Sequence, residues 1–250
     1  MDIREIIDEV TRQVESEQNG ATLKSDFGAP APEVSAHLEH SLLTPDISLE
    51  KIRNECMQAR RYCVAAVCVS PYYVGEAVQA LRGSNVAVCA AIGFPHGAMS
   101  GEAKLEEAKD CLKNGAHELD VAMNILAIKS GKLDDARAEL EQIVRLSEGR
   151  AKVKAVFEHS VYNSEEKAAV LNMVRTCGAE YVKIQNVLSG KGADVEDVQY
   201  ARGVLGRNVK IKIDGGVKTL KQVKELLEAG ADRIGLTATV SIAREALGIV

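Results

Sequence analysis

Short apolar runs rich in β-branched residues alternate with longer helical patterns from residue 35 to the end of the chain. Eight of these runs have the length and composition of buried strands. They are LEHSLL near Leu38, VAAVCV from Val64, VAVCAAI from Val86, HELDVAM from His117, KVKAVFE from Lys152, YVKIQ from Tyr181, VKIKIDG from Val209 and RIGLT from Arg233. Intervening segments such as SLEKIRNECMQARRY and TLKQVKELLEAGA repeat apolar residues at the helical period, and several open with Ser or Thr and close at Gly.

The number and spacing of the predicted strands favour a closed barrel. Strand starts recur every 22 to 35 residues, which is the size of one strand–helix unit. Eight such units are typical of a (β/α)8 TIM barrel, whose parallel strands are buried on both faces. A doubly wound open sheet is the alternative, but it would need a Gly-rich phosphate turn after the first strand, and LEHSLLTPD has none. We therefore predict one TIM-barrel domain over residues 35–250.

Residues 1–18 carry a different pattern, with charged side chains between apolar ones. The apolar residues recur at helical spacing and are Ile3, Ile6, Ile7, Val10 and Val14. This spacing predicts a short amphipathic helix, and the polar, Gly- and Pro-containing residues 19–34 predict a flexible linker. A helix this short is marginal in water, so its apolar stripe needs a surface to dock on. Packing of the helix against its own domain is the plainer alternative.

Composition and charge exclude several classes of function. The chain has 31 Lys and Arg against 36 Asp and Glu, no Trp and three Phe, which argues against nucleic acid as the main partner. It has no apolar run long enough to span a membrane and no secretory signal, so we expect a cytoplasmic protein. The six cysteines lack CxxC spacing and fit buried hydrophobes, while His96 and His159 lack metal-ligand spacing. No metal is therefore expected.

Four of the predicted strands contain ionisable residues: Asp120, Lys154, Lys183 and Lys212. Because burying an isolated charge is costly, these groups are expected to pair inside the barrel. A desolvated lysine near another cation loses its proton more easily, and its neutral amine can form a Schiff base with a carbonyl. Lys183 and Lys212 suit that chemistry, with Asp120 moving protons; a structural ion-pair network is the alternative. Lys210 shares a face with Lys212, which lies nearer the C-terminal end of its strand and is favoured.

Glycines follow the last two predicted strands. Gly215 and Gly216 come after the seventh strand, and Gly235 with Thr237 closes the eighth. TIM barrels commonly bind phosphate here through backbone N–H groups, although glycine after a strand is also ordinary turn chemistry. A phosphate-binding barrel isomerase is the rival function, but it would use paired carboxylates or a Cys/Asp pair and would not need two barrel lysines.

Eight ordered segments resemble the deoxyribose-phosphate aldolase family, and the resemblance extends from about Leu38 to Ile242. The segments are LEHSLLTPD, VCVSPYYV, VCAAIGFPHG, GAHELDVAMNI, VKAVFE, GAEYVK, KIDGGVKT and GADRIGLT. The resemblance implies a TIM barrel, without metal or organic cofactor, that splits 2-deoxy-D-ribose 5-phosphate into glyceraldehyde 3-phosphate and acetaldehyde. It also implies a homodimer.

The resemblance implies roles for individual residues as well. Lys183 would be the Schiff-base nucleophile, Lys212 would lower its pKa, and Asp120 would relay protons through water. Lys154, Cys68 and Glu39 would be accessory groups. Phosphate would be bound by the loops that carry Gly190, Lys191, Gly215, Gly216, Lys218, Gly235 and Thr237.

The loop after Lys183 departs from the family pattern. The family usually has Thr-Ser-Thr-Gly there, whereas this chain reads IQNVLSGK over Ile184–Lys191. Gly190 and Lys191 remain to supply an amide and a cation for phosphate. The change leaves two alternatives open: an aldolase-like barrel with an altered substrate, or a non-catalytic assembly component.

Other departures affect charge. The family's Asp in the first strand is Glu39 here, and its Arg after the double glycine is Lys218, which keeps the charge but loses the fork geometry. The usual Ser-Ser near the last strand is Thr237-Ala238. Asp214 replaces a small residue beside Lys212 and would partly neutralise the cation expected to lower the pKa of the nucleophile.

The N-terminal residues 1–18, joined by the linker, resemble the encapsulation peptides that direct enzymes into bacterial microcompartments. Acetaldehyde is volatile and reactive, and a protein shell would retain it. The resemblance implies shell proteins as partners of this segment. Self-association through the helix and an inert tail are the rival interpretations.

Overall fold

The computed structural model describes residues 33–186, 188–190, 192 and 194–249. The strands are β1 Leu38–Leu42, β2 Ala66–Val69, β3 Ala87–Ile92, β4 Glu118–Ala122, β5 Lys152–Glu158, β6 Tyr181–Gln185, β7 Lys210–Asp214 and β8 Arg233–Leu236. The α-helices are α1 Leu49–Arg61, α2 Val74–Ala80, α3 Gly101–Lys113, α4 Ile125–Lys129, α5 Leu133–Ser147, α6 Ser164–Cys177, α7 Val195–Leu205, α8 Leu220–Glu228 and α9 Thr239–Ala246. The helix predicted for residues 1–18 and the linker residues 19–32 lie outside the described residues, and a 3-10 helix over Glu33–His37 precedes β1.

The eight strands are parallel and form a closed barrel in sequence order. Closure is visible at Glu39, whose Cα partners are Ala66 in β2 and Gly235 in β8. Each predicted apolar run contains one of the strands. The TIM-barrel prediction is therefore confirmed, and the doubly wound alternative is wrong because β1 has no free edge.

Strand alternation separates two layers of side chains. In β4, Leu119 and Val121 pack in the apolar core, where helix residues such as Ile143 of α5 are also buried. The intervening residues Glu118 and Asp120 are equally buried but point to the opposite face, into the barrel. The fold therefore collects charged side chains of several strands in one enclosed space.

Polar caps begin several helices at the positions where the sequence places them. The Ser48 hydroxyl accepts from the Lys51 N–H at 3.2 Å at the start of α1, and Thr219 caps α8. α6 is capped by Asn163 rather than by a Ser or Thr, and it ends at Gly178, whose φ of 84° is left-handed. Such ends let each helix return the chain to the next strand.

The prediction that the cysteines are buried is confirmed for five of the six. All six are free thiols, and Cys63 alone among them is exposed. Within the described ranges, no helix has the length and apolar character that crossing a membrane requires.

Candidate active site

Six of the side chains singled out in the sequence meet inside the barrel, and each comes from a different strand. They are Glu39, Cys68, Asp120, Lys154, Lys183 and Lys212, and the exposed fraction of each is 0%. Six strands thus contribute to a single buried cluster, which we call the charge cluster. Lys210 lies at the N-terminal end of β7 and is exposed, so Lys212 is the lysine of that strand that enters the cluster.

Asp120 lies at the centre of the charge cluster. Its Oδ1 is 2.8 Å from Nζ of Lys154, and its Oδ2 is 2.7 Å from Nζ of Lys212 and 3.0 Å from Nζ of Lys183. Burial alone would raise the pKa of this carboxyl, but the three ammonium groups hold it well below its usual range. Asp120 is therefore an anion that binds three cations at once.

Lys183 lies between two carboxylates. Its Nζ is 2.7 Å from Oδ2 of Asp214 and 3.0 Å from Oδ2 of Asp120, and the Phe94 ring closes another side with its centroid 5.3 Å away. Burial would lower the pKa of this amine, but Asp214 and Asp120 hold it well above its usual range. This is the reverse of the lowered pKa that the resemblance implied, because nearby carboxylates outweigh Lys212, its Cα partner on β7.

Asp214 also binds a different partner from the one expected. The sequence placed it beside Lys212, but its Oδ2 is 3.8 Å from that ammonium group and 2.7 Å from that of Lys183. Lys212 instead donates to both Asp120 and Glu39. Burial would raise the pKa of Glu39, but Lys154 and Lys212 lower it to about 2.

Two members of the cluster were missed in the sequence. Nη1 of Arg233 is 2.7 Å from Glu118 and 3.2 Å from Glu39, and Lys154 reaches Glu118 at 2.7 Å. Glu118 lies two residues before Asp120, so strand alternation already placed both on one face. With Glu118, Arg233 and Asp214 included, the charge cluster has equal numbers of acidic and basic groups. The carboxylates are those of Glu39, Glu118, Asp120 and Asp214, and the cations are Lys154, Lys183, Lys212 and Arg233.

Cys89 is a further residue that sequence analysis did not single out. Its Sγ is 3.1 Å from Oδ1 of Asp120 and 3.1 Å from Nζ of Lys154, and burial raises its pKa. Glu39, Cys68, Cys89 and Asp120 could by spacing hold a metal ion, because their ligand atoms lie within 4.8 Å of one another. The lysine ammonium groups already bind the same carboxylates, so this donor set fits ion pairing better than a metal.

The loop after Lys183 is held by β5 and α7. Glu158, at the end of β5, accepts from Nε2 of Gln185 at 3.2 Å and from the Leu188 N–H at 3.3 Å. Asn186 donates to Asp197 at 3.0 Å, and His159 pairs with the same carboxylate. Polar contacts thus fix a loop that the sequence marked only as unusual.

The double glycine after β7 is in close contact with the loop after β6. A Cβ on Gly216 would lie 2.6 Å from Cα of Gly192, so both positions exclude side chains. Gly215 and Gly216 have φ values of 86° and 79°, and Gly190 has 71°, all in the region that favours glycine. Lys191, the cation predicted for this loop, lies outside the described residues.

Gly235 leaves space for two members of the charge cluster. A Cβ at this position would lie 2.9 Å from Cγ of Asp214 and 2.9 Å from Cε of Lys212. Lys218 and Thr237, the side chains predicted to contact phosphate beside it, are both exposed at the same end of the barrel. The structure thus gives Gly235 a packing requirement that the sequence did not reveal.

Several curated relatives and solved structures with similar chains are deoxyribose-phosphate aldolases, although no protein-family model matches the chain. The deoxyribose-phosphate aldolase of Clostridium tetani is 37% identical over 213 residues, 85% of this chain and 99% of the relative. That of Staphylococcus carnosus is 39% identical and covers 82% of this chain and 93% of the relative. The tetrameric deoxyribose phosphate aldolase of Aeropyrum pernix superposes with a TM-score of 0.80 at 26% identity, covering 87% of this chain and 92% of that one.

Proposed function

The chain belongs to the deoxyribose-phosphate aldolase family, and on that premise we propose that it reversibly cleaves 2-deoxy-D-ribose 5-phosphate to D-glyceraldehyde 3-phosphate and acetaldehyde. The observation that carries this proposal is the position of Lys183. Its amine is fully buried, lies within 3.0 Å of two carboxylates and is beside a second lysine. The adjacent carboxylates can accept the proton that this amine must give up before it attacks a carbonyl.

Cleavage begins when Lys183 transfers a proton to a carboxylate and attacks C1 of the open-chain sugar. The protonated carboxylate then gives its proton to the hydroxyl of the resulting carbinolamine. This hydroxyl leaves as water, and an iminium ion forms. The C3 hydroxyl then gives its proton to the regenerated carboxylate as the C2–C3 bond breaks, and the electron pair of that bond moves toward the iminium nitrogen to give an enamine, to which the carboxylic acid can return the proton. Glyceraldehyde 3-phosphate departs, the enamine takes a proton at C2, and water releases acetaldehyde from the lysine.

The charge cluster supports these proton transfers by fixing the groups around the amine. Lys154 and Lys212 hold Asp120 in one position, from which it can exchange protons through water with the carbinolamine. Glu39 and Cys68 lie around the two lysines and Asp120 and keep this arrangement ordered. Preorganised charge of this kind avoids reorganisation during the reaction.

Phosphate binding falls to the loops after β6, β7 and β8. The proposed groups are Gly190, Lys191, Gly215, Gly216, Lys218, Gly235 and Thr237. The contact of Gly216 with Gly192 supports the proposal, because backbone that excludes side chains can approach an anion closely. The exposed ammonium of Lys218 adds charge at the mouth of the barrel.

Borohydride trapping tests the function directly. The purified protein is incubated with deoxyribose 5-phosphate and reduced, and the added mass is located by peptide mapping. We expect an acetaldehyde- or sugar-sized adduct on Lys183, because reduction converts the Schiff base into a stable secondary amine. The proposal would be contradicted if the folded protein formed no adduct on any lysine, either with deoxyribose 5-phosphate or with acetaldehyde alone. That result would favour a non-catalytic component.

For residues 1–18 we propose that they direct this cytoplasmic enzyme into a bacterial microcompartment. The match that spans 99% of the Clostridium relative covers 85% of this chain, so the chain carries residues that the relative lacks. The apolar stripe of the segment is of the kind that binds partner surfaces, and a shell would retain the acetaldehyde formed. The proposed partners are the shell proteins.

Co-expression with shell proteins tests this targeting. We expect a fluorescent protein fused to residues 1–20 to co-purify with shells, and the same fusion with Ile6→Asp and Val10→Asp not to do so, because the substitutions interrupt the apolar stripe. The proposal would be contradicted if neither fusion co-purified with shells. An increased mass of the free fusion would instead indicate self-association.

For the assembly of the barrel itself we propose a homodimer, as the resemblance implied. The Aeropyrum pernix relative is tetrameric, so a tetramer is the alternative to test. Sedimentation equilibrium of the full chain distinguishes a mass of two subunits from one of four.

A further inference from the structure

Asp214 ends β7 at the open side of the charge cluster. Its side chain is 13% exposed, whereas those of Asp120 and Lys183 are 0% exposed. Its carboxylate lies 2.7 Å from Nζ of Lys183, and Gly235 provides the space it occupies, since a Cβ there would meet its Cγ at 2.9 Å. The contact is therefore built into the packing of two neighbouring strands.

The two carboxylates beside Lys183 differ in what else they bind. Asp120 also binds the ammonium groups of Lys154 and Lys212 at 2.8 and 2.7 Å, so its negative charge is shared among three cations. Asp214 makes one close contact, to Lys183, and is 3.8 Å from Lys212. The negative charge of Asp214 thus acts mainly on Lys183, whereas that of Asp120 is divided among three lysines.

The groups that face Lys183 come from four directions. They are Asp120 of β4, Asp214 and Lys212 of β7, Cys68 of β2 and the Phe94 ring after β3. Without Asp214, this environment would hold one carboxylate shared by three lysines, an apolar ring and a thiol. A buried amine in such a site favours its neutral form.

We propose that Asp214 sets the protonation of Lys183 in this chain, holding the amine as an ammonium ion in the free enzyme and moving its action as a nucleophile toward alkaline pH. The proposal rests on the proposed Schiff-base function of Lys183. An adjacent negative charge favours the charged form of an amine, so loss of Asp214 lowers the pH at which the neutral amine forms. Asp214 acts here through Lys183 and is a positioning residue.

NMR of protein labelled with [13Cε]lysine measures this protonation without using catalysis. The Lys183 signal is assigned by its loss in Lys183→Arg, and its pH dependence is compared in the wild type, Asp214→Asn and Asp214→Ser. We expect the midpoint to fall by at least about one pH unit in both variants, a tenfold larger neutral fraction at lower pH. Glu76→Gln removes one charge from an exposed pair with Arg53 and should leave the midpoint unchanged.

The pH profile of kcat/KM is the second readout. Its ascending limb should move to lower pH in both Asp214 variants, in parallel with the NMR midpoint. Equal midpoints in the wild type and both variants would overturn the proposal, as would a loss of kcat/KM that is uniform across pH. If the wild type cleaves no substrate, the proposed function fails, and the NMR midpoints still decide the role of Asp214.

Discussion

Lys183→Arg is expected to abolish aldol cleavage while the barrel stays folded. A guanidinium group does not lose its proton in proteins and cannot attack a carbonyl. Removing the nucleophile of another enzyme with a covalent intermediate lowers kcat by about 10⁶-fold, and we expect a loss on the order of 10⁵-fold or more here. Arg keeps the positive charge between Asp120 and Asp214, so the buried carboxylates stay paired.

The measurement is turnover of deoxyribose 5-phosphate, with circular dichroism and thermal unfolding to establish that the variant folds. Lys210→Arg is the matched control, because Lys210 lies on β7 but is exposed at the other end of the strand from the cluster. It should retain activity close to that of the wild type. Substantial turnover by a folded Lys183→Arg protein would refute the Schiff-base assignment.

The barrel could be predicted because its signals are local. Continuous apolar runs such as that of β3 indicate strands buried on both faces, and the helical segments between them carry their own period and caps. Eight repeats of that unit leave few other topologies. Closure itself required only the pairing of β1 with β8, which the count of units already suggested.

The inward charged residues were predictable for a similar reason, but their partners were not. An ionisable residue within an apolar run, such as Lys154, stands out without any knowledge of contacts. Arg233 was missed because its partner Glu118 is 115 residues away and only the barrel brings the two strands near each other. Sequence alone contains no measure of such distances.

The pKa of Lys183 shows the same limit. The sequence points to two effects on this amine, the nearby cation of Lys212 and burial, and both lower the pKa of an amine. The direction reverses because Asp214 reaches across the strands to Lys183 instead of pairing with its neighbour on β7. Asp214 follows Lys212 by two residues in the sequence, but its carboxylate acts mainly on Lys183. The direction of the Asp214 side chain decides this, and only the structure provides that direction.

Asp120→Asn is expected to reduce both stability and activity. The substitution removes an anion that lies within 3.0 Å of three buried ammonium groups. Breaking a buried ion pair by removing one partner typically costs about 3–5 kcal/mol. Loss of the proton transfer proposed for Asp120 should also lower kcat by about 10²–10⁴-fold. A structural ion-pair network without a catalytic role would show the loss of stability alone.

Urea unfolding at several pH values tests the stability part with a signed expectation. Because the folded pKa of Asp120 is depressed, its contribution is fully present above its unfolded pKa of about 3.9 and is lost as pH falls toward the folded value. The difference in unfolding free energy between wild type and Asp120→Asn should therefore be largest at neutral pH and shrink below about pH 4. Glu76→Gln, at an exposed ion pair, should change stability by less than about 1 kcal/mol. Equal stability of Asp120→Asn and the wild type at neutral pH would show that the three lysines do not depend on this carboxylate.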